Sequence, residues 1–210
     1  MTWTPEQYAE FIRSHADAEG RLPSYQQEWM TFPFDVPSLP IKPWLDPVVP
    51  EPERFGVRPE DCRACAQQDQ GIWLNENWRL FACEPTGLPV LLMLQPRKHY
   101  DFADLPDELA AEMGVLLRHI AAAVEGMDNI ERVHMDRWGD GSAHLHWFIT
   151  GRPTGQLQLR GTFCAVWEVV MPALPQDVID AHSVEVARRL QASFGGSITS
   201  ESQAEGAAKS

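Results

Sequence analysis

Two histidines alternate with apolar residues in the stretch GSAHLHWFI, residues 141–149. Side chains alternate between the two faces of a β-strand, so a strand here would place His144, His146 and Phe148 on one face. Neighbours on one face are roughly 6.5–7 Å apart along a strand, close enough for two imidazoles to serve parts of one site. Two histidines on the solvent-facing side of a half-buried strand would have the same spacing. The pattern alone leaves a catalytic strand, a metal site and an ordinary strand open.

A pair of cysteines upstream favours a metal. Cys62 and Cys65 lie in the stretch DCRAC, and this spacing lets two thiolates bind one ion from a single turn. Zinc takes four nitrogen or sulfur ligands in a tetrahedron, and no second pair with this spacing exists in the chain. The remaining ligands would therefore be histidines, whereas two reduced buried thiols are the alternative. The histidine candidates are His99, His134, His144 and His146.

The elements that must position these residues begin near Asp61. Apolar residues at helical spacing from Leu105 to Val124 predict a long helix, with acidic residues in its first turn. A second helix is predicted over 176–193, and FCAVWEVVMP, residues 163–172, fits either a strand or a short helix. One helix between two pairs of strands predicts an α+β fold, with an antiparallel sheet packed against the helix on one face. The predicted strands are 72–84, 89–97, 131–138 and 143–152, and the GDG sequence between the last two indicates a tight hairpin.

The chain divides into three parts by composition. Residues 1–60 combine a short amphipathic helix over 4–19 with a proline-rich but apolar stretch over 32–59. We interpret this stretch as an extended arm that lies across the domain or across a partner subunit. Residues 61–194 form the compact domain with a C-terminal extension. Residues 195–210 are mostly Gly, Ser, Ala and Glu, which predicts a disordered tail.

Composition excludes some classes of protein. The chain has 210 residues, of which 44% are hydrophobic, and this suits one globular domain. Its formal net charge of −13, with no region rich in Lys or Arg, argues against general nucleic-acid binding. The N-terminus lacks the basic start and apolar core of a secretory signal, and no apolar run is long enough to span a bilayer. We therefore expect a cytoplasmic protein without a membrane partner.

Together these segments resemble the histidine-triad superfamily. The resemblance is to the branch that contains galactose-1-phosphate uridylyltransferase and the small histidine-triad nucleotide hydrolases, and it runs from about Asp61 to Arg152. It implies a histidine-triad-like antiparallel sheet with a long helix, and a homodimer, because the family commonly dimerises through its sheet. The matching pieces occur in the family's order: CRAC, PVLLMLQPRKHYDFADLPDEL, the long helix, WGDGSA and HLHWFITGR.

The resemblance implies a set of zinc ligands. In zinc-bearing members the metal is bound by the two cysteines, by the histidine before the helix and by the first histidine of the final motif. Four protein ligands close the tetrahedron and leave no place for water, so this zinc would be structural. In this sequence the ligands are Cys62, Cys65, His99 and His144.

The resemblance also implies a nucleophile. The family motif alternates three histidines with apolar residues on a strand, and its middle histidine matches His146. The imidazole of His146 would attack an α-phosphorus, and water or a second phosphate would release the nucleotidyl-histidine intermediate. Its other ring nitrogen needs an acceptor, often a backbone carbonyl. The substrate would be a nucleoside phosphate: a phosphoramidate, a dinucleoside polyphosphate or a nucleotide sugar.

Phosphate groups of such a substrate need donors near His146. Backbone N–H groups of the loop 139–142, at Gly139 and Gly141, could hold phosphate oxygens, and the hydroxyl of Ser142 could add a hydrogen bond. Arg152 is the candidate for neutralising the phosphate charge, together with Arg97 and Lys98.

Phe148 stands where the family has its third histidine or, in the uridylyltransferase branch, a glutamine. Phenylalanine can neither donate a proton nor form that hydrogen bond. A second hypothesis is therefore a nucleotide-binding protein of this fold with little or no catalysis. A third is a metal-dependent enzyme with an open site formed by His134, His144 and His146, without a covalent intermediate.

Overall fold

The structure is a computed structural model, and it describes residues 14, 17–20, 30–32 and 45–199. Much of the predicted N-terminal helix and arm, and residues 200–210 of the predicted tail, lie outside these ranges. Within the described residues, no helix is long and apolar enough to cross a membrane.

One antiparallel sheet organises the described residues. Its strands are Trp73–Leu74 (β1), Trp78–Ala82 (β2), Val90–Pro96 (β3), Ile130–Asp136 (β4), Trp147–Pro153 (β5) and Ser197–Ile198 (β6). The order across the sheet is β4-β5-β3-β2-β1-β6, and every neighbouring pair is antiparallel. The helices are Arg63–Ala66 (α1), Asp107–Glu125 (α2), Cys164–Val170 (α3) and Gln176–Phe194 (α4).

The long predicted helix is α2, and it covers one face of the sheet. It begins after Pro106, with Asp107 and Glu108 in the first turn, where carboxylates interact favourably with the helix dipole. Its buried stripe follows helical spacing and packs with α4 and the strands into a single core. The stripe consists of Met113, Leu116, Ile120, Ala123 and Val124. The predicted α+β fold, with an antiparallel sheet packed against a long helix, is confirmed.

Alternation along the strands separates this core from an open face. Leu80, Leu92 and Ile149 belong to the core, and their strand neighbours point to the opposite face. Phe81 of β2 pairs with Met93 of β3, which pairs with Phe148 of β5. These three side chains are only half-buried, so the part of the open face that they form is apolar but accessible.

The segment that carries the two histidines differs from its prediction. β5 begins at Trp147, so His144 and His146 lie in an extended segment just before the strand. The predicted tight hairpin at GDG was wrong, because residues 137–146 form a long connection between β4 and β5. The cause is non-local. The carbonyl of Gly141 accepts from the N–H of Phe55 at 2.9 Å, and the N–H of Leu145 donates to the carbonyl of Tyr100 at 2.7 Å.

The two ends of the C-terminal region complete the fold. FCAVWEVVMP is helical over α3 rather than a strand, and the helix predicted over 176–193 is α4. The first residues assigned to the disordered tail are part of the sheet, because β6 pairs with β1. The indole of Trp73 also donates to the carbonyl of Gly195 at 2.8 Å.

Candidate metal centre and active site

Two cysteines and two histidines meet at one point beside the sheet. Cys62 is the N-cap of α1 and Cys65 lies within it, while His99 follows β3 and His144 precedes β5. One ligand atom from each residue lies within 4.8 Å of all the others. Gly56, at φ +65°, lets the chain pass the cysteine pair, since an added Cβ would lie 3.2 Å from Cα of Cys62.

The distances in this cluster fit a zinc ion. Nδ1 of His144 lies 3.4 Å from Sγ of Cys62 and 3.6 Å from Sγ of Cys65. Nδ1 of His99 lies 3.3 Å from Sγ of Cys65. A tetrahedral zinc bound at usual lengths separates sulfur and nitrogen ligands by about 3.6 Å. The donor set and its dimensions are therefore compatible with zinc.

His144 is held in the tautomer that a metal needs. Its Nε2 donates to the carbonyl of Pro96 at 2.8 Å, and this leaves Nδ1 as an unprotonated ligand. The side chain is fully buried, and burial is the main cause that lowers its pKa to about 4. The carbonyl of Pro96 acts in the opposite direction, whereas His99 and Arg79 add to the lowering. His144 is therefore neutral near pH 7.

The thiol of Cys65 is neutral near pH 7 when no cation is bound. Burial, and secondarily the neighbouring Cys62, raise the pKa of Cys65 to about 11. Metal binding would displace the thiol protons and stabilise the thiolates. Arg79 lies close enough to interact with both sulfurs. Burial lowers the pKa of its guanidinium, whereas negative charge on Cys62 and Cys65 would raise that pKa. Sequence reasoning missed this buried arginine, although a charge within the apolar strand WRLFA was its signal.

His146 is positioned by the residue two places before it. Its Nδ1 lies 2.9 Å from the carbonyl oxygen of His144. A carbonyl can only accept, so Nδ1 carries the proton and Nε2 keeps a free lone pair. Among residues 45–199, no group forms a hydrogen bond with Nε2. His146 is 9% exposed. A nearly buried imidazole with a fixed tautomer and a free nitrogen can act as a nucleophile or a base.

An aromatic ring lies next to His146. The ring centroid of His146 is 5.6 Å from that of Phe148, and the planes of the two rings meet at 89°. On its other side Phe148 contacts Trp138, at a centroid distance of 5.9 Å. The position of the family's third histidine therefore provides packing, and its ring offers no hydrogen bond.

The glycine loop leads directly into the two histidines. The carbonyl of Gly139 accepts from Arg54 at 2.9 Å, and Oγ of Ser142 accepts from the N–H of His144 at 3.3 Å. Gly141 uses its carbonyl to bind Phe55. No described residue accepts from the backbone N–H groups of 139–142. These N–H groups are therefore free of protein acceptors within the described residues.

Two other predicted site residues lie elsewhere. Arg152 is nearly buried toward the far end of β5, and its guanidinium donates to the carbonyls of Pro153 and Gln156. His134 pairs with Thr150 across β4 and β5. The metal-ligand groups of the described residues contain a single cluster, and His134 is not part of it. The open site of His134, His144 and His146 is therefore not formed.

An ion-pair network surrounds the loop, and sequence reasoning missed it. Asp101 accepts from Arg54 at 2.6 Å and from Arg137 at 3.0 Å. Burial alone would raise the pKa of Asp101, but the two arginines and the N–H of Phe102 hold it below its usual value. The network joins the arm, the glycine loop and the segment after His99.

Comparison with known proteins gives structural matches alone. No model of a known family matches the sequence, and no curated protein matches it. A histidine triad protein from Bradyrhizobium japonicum is 18% identical, covers 58% of this chain and 90% of its own, and has a TM-score of 0.48. A Zn-bound histidine triad family protein from Mycobacterium smegmatis is 18% identical, with coverages of 71% and 99% and a TM-score of 0.45.

A mutant uridylyltransferase is also similar. It is 19% identical, the match covers 62% of this chain and 47% of the transferase, and the TM-score is 0.44.

Proposed function

We propose that this protein transfers or hydrolyses a nucleotidyl group through His146, beside a structural zinc. The observation that supports this most directly is the hydrogen bond from Nδ1 of His146 to the carbonyl of His144. It fixes the protonated nitrogen away from the reacting side and leaves Nε2 free to attack.

The proposed reaction has two steps. Nε2 attacks the α-phosphorus of a nucleoside phosphate, a phosphorus–nitrogen bond forms, and the leaving group departs with the bonding electron pair and takes a proton from solvent. The carbonyl of His144 stabilises the positive charge that develops on the ring. Water, which gives up a proton to solvent, or a second phosphate then attacks the phosphorus; the phosphorus–nitrogen bond breaks, and its electron pair returns to Nε2 of His146. The N–H groups of 139–142 would hold the phosphate oxygens during both steps.

Zinc bound by the cluster of Cys62, Cys65, His99 and His144 would supply rigidity. With four protein ligands it has no open position for water, so its role would be structural. The chemistry would be done by the chain's own residues. The ring of His144 is held at Nδ1 by the cysteines and at Nε2 by the carbonyl of Pro96, and its backbone carbonyl is thereby placed to accept the hydrogen bond from His146.

Kinetics of two histidine variants test this proposal. Release of nucleotide or phosphate is measured from a phosphoramidate, a dinucleoside polyphosphate and a nucleotide sugar. We expect His146→Asn to lower turnover at least about 1,000-fold, as expected when the nucleophile is lost. His134→Asn, outside the cluster, should leave turnover within about threefold of wild type. Unchanged turnover in His146→Asn would contradict the proposal.

Phe148 favours a second candidate function, a nucleotide-binding protein with little or no turnover. Its ring occupies the place beside His146 where a hydrogen-bonding group would contact the phosphate. In that case the wild-type protein binds nucleotide but releases no product from any of the three substrate classes.

We also propose that the chain forms a homodimer. Apolar side chains in the described part of the arm are exposed: Leu45 is 79% exposed, Val48 67% and Val49 68%. Phe55 is 84% exposed, although its backbone is bound to the glycine loop. Several large apolar side chains exposed within one short segment favour a surface that a second copy covers.

A further inference from the structure

A cavity of about 540 Å³ lies on the open face of the sheet, beside Phe148. β4, β5 and α3 contribute to its walls, and none of the four candidate zinc ligands lines it. Phe148 and Trp138 form an aromatic wall, and Trp138 is 52% exposed. The volume is that of a site for a small molecule.

Polar groups without protein partners line this cavity. They are His134, Asp136, Thr150 and Glu168. None of these side chains forms a hydrogen bond or ion pair with another residue of the described ranges. Thr150 is only 8% exposed, yet its hydroxyl is not one of the fully buried polar atoms that lack a partner, so it reaches the open space of the cavity. A hydroxyl that faces a cavity and has no protein partner is available to a ligand.

The charge of the cavity is negative. Asp136 and Glu168 both line it, and among the residues that the structure describes no Lys or Arg does; the charge of Arg152 acts on His134 and Cys164 from outside the lining. Burial lowers the pKa of His134; the charge of Asp136 acts in the opposite direction, and that of Arg152 adds to the lowering. The imidazole is therefore neutral at pH 7 and does not offset the charge of the carboxylates. Burial raises the pKa of Glu168, so a nearby cation would stabilise its charged form. An anionic group would be repelled.

We propose that this cavity binds a small organic cation that carries an aromatic group. The carboxylates of Asp136 and Glu168 attract its positive charge, and the rings of Trp138 and Phe148 add stacking and cation–π attraction. The hydroxyl of Thr150 supplies a hydrogen-bonding group. This cavity is a binding site in addition to the proposed nucleotidyl-transfer site, and it does not depend on His146. Phe148 lies between the cavity and His146.

Titration with three matched probes tests the charge preference. Benzylammonium is the cation, benzyl alcohol the neutral probe and phenylacetate the anion, and binding is followed by NMR at the indole N–H of Trp138. That resonance is assigned with Trp138→Phe. We expect benzylammonium to bind about tenfold more tightly than benzyl alcohol, and phenylacetate to bind most weakly. Equal binding of the cation and the neutral probe would overturn the proposal.

Two acidic variants and one control locate the charge. Glu168→Gln should weaken benzylammonium binding about fivefold to tenfold and leave benzyl alcohol binding unchanged. Asp136→Asn is the second variant, in case the first does not fold. Glu131→Gln, exposed on β4 and outside the cavity lining, should have no effect. An equal effect of Glu131→Gln and the cavity variants would overturn the proposal.

The test of this cation site can fail or succeed independently of the test of the proposed function. His146→Asn should bind benzylammonium as tightly as wild type, because His146 does not line the cavity. Loss of cation binding in this variant would contradict the proposed independence. A protein without turnover that still discriminates the three probes would keep the cation site and lose the nucleotidyl proposal.

Discussion

His144 contributes two different atoms to the site. Its Nδ1 lies among the cysteines, and its carbonyl accepts the hydrogen bond from His146. Because the ring is also held by the carbonyl of Pro96, the backbone at His144 is fixed from two directions. A single residue thus links the proposed metal to the proposed nucleophile.

Loss of one sulfur ligand should release the metal. In Cys62→Ser we expect zinc affinity to fall by more than the roughly 10–100-fold that loss of an outer-shell partner costs. Cys83→Ser, at a cysteine outside the cluster, should keep about one zinc per chain. Metal analysis by mass spectrometry after dialysis measures both. Zinc retained in Cys62→Ser would contradict the ligand assignment.

We also expect the side chain of Phe148 to limit turnover. Its ring lies beside His146 and cannot donate a proton. Phe148→His should raise turnover at least about tenfold, since a positioned acid or base contributes typically 10²–10⁴-fold. Phe148→Leu is the matched control for loss of the ring. If the histidine variant is no faster than the leucine variant, Phe148 is not what limits the reaction.

At the scale of elements, Asp101 joins three segments that are distant in sequence. Arg54 belongs to the arm, Arg137 begins the connection from β4 to β5, and Asp101 follows β3. The guanidinium of Arg137 also stacks on Phe102 at 5.0 Å. The loop that carries His144 and His146 is therefore anchored by charge pairs as well as by backbone hydrogen bonds.

Removing the charge of Asp101 should destabilise this anchor. Asp101→Asn keeps an acceptor for the N–H of Phe102 but loses two charge-assisted hydrogen bonds. We expect the free energy of unfolding at pH 7 to fall by about 1–3 kcal/mol. Asp104→Asn, exposed in the same turn, should change it by less than about 0.5 kcal/mol. Denaturant titration measures both, and equal effects would contradict the anchoring role.

The elements show which parts of the fold a sequence can predict. The helix α2 and the strands β2 and β3 were predicted from periodicity, because their burial patterns are local. The start of β5 was not, because the backbone of 141–145 bonds to Phe55 and Tyr100 instead of β4. The four residues of the cysteine–histidine cluster were predicted from type, spacing and family resemblance, and the structure brings them together. The pairing of Asp101 with Arg54 was missed, since no local pattern marks two residues that meet only in the fold.

At the scale of the whole molecule, the two faces of the sheet have different roles. The helices α2 and α4 bury one face in a continuous apolar core, which stabilises the fold. The opposite face carries half-buried aromatic residues and the cation cavity. An exposed arm adds Leu45, Val48 and Val49 to the surface. The helix-covered face therefore stabilises the fold, the open face is where ligands would bind, and the arm is where a second copy would bind.

Light scattering of the full chain tests the assembly. We expect the mass of a dimer for wild type. A double variant, Val48→Asp with Val49→Asp, should shift the mass toward the monomer, because it places charge in the proposed contact. Asp46→Asn is a control in the same segment that adds no charge there. A monomeric wild-type chain would contradict the proposed dimer.

Mass spectrometry of the modified protein detects the proposed covalent intermediate on His146 itself. The protein is mixed with a nucleoside phosphoramidate, quenched at alkaline pH, where a phosphorus–nitrogen bond survives, and digested. We expect a nucleotidyl group on the peptide that contains His146, and none in His146→Asn. A nucleotidyl group on another residue, or the same labelling in His146→Asn, would contradict it.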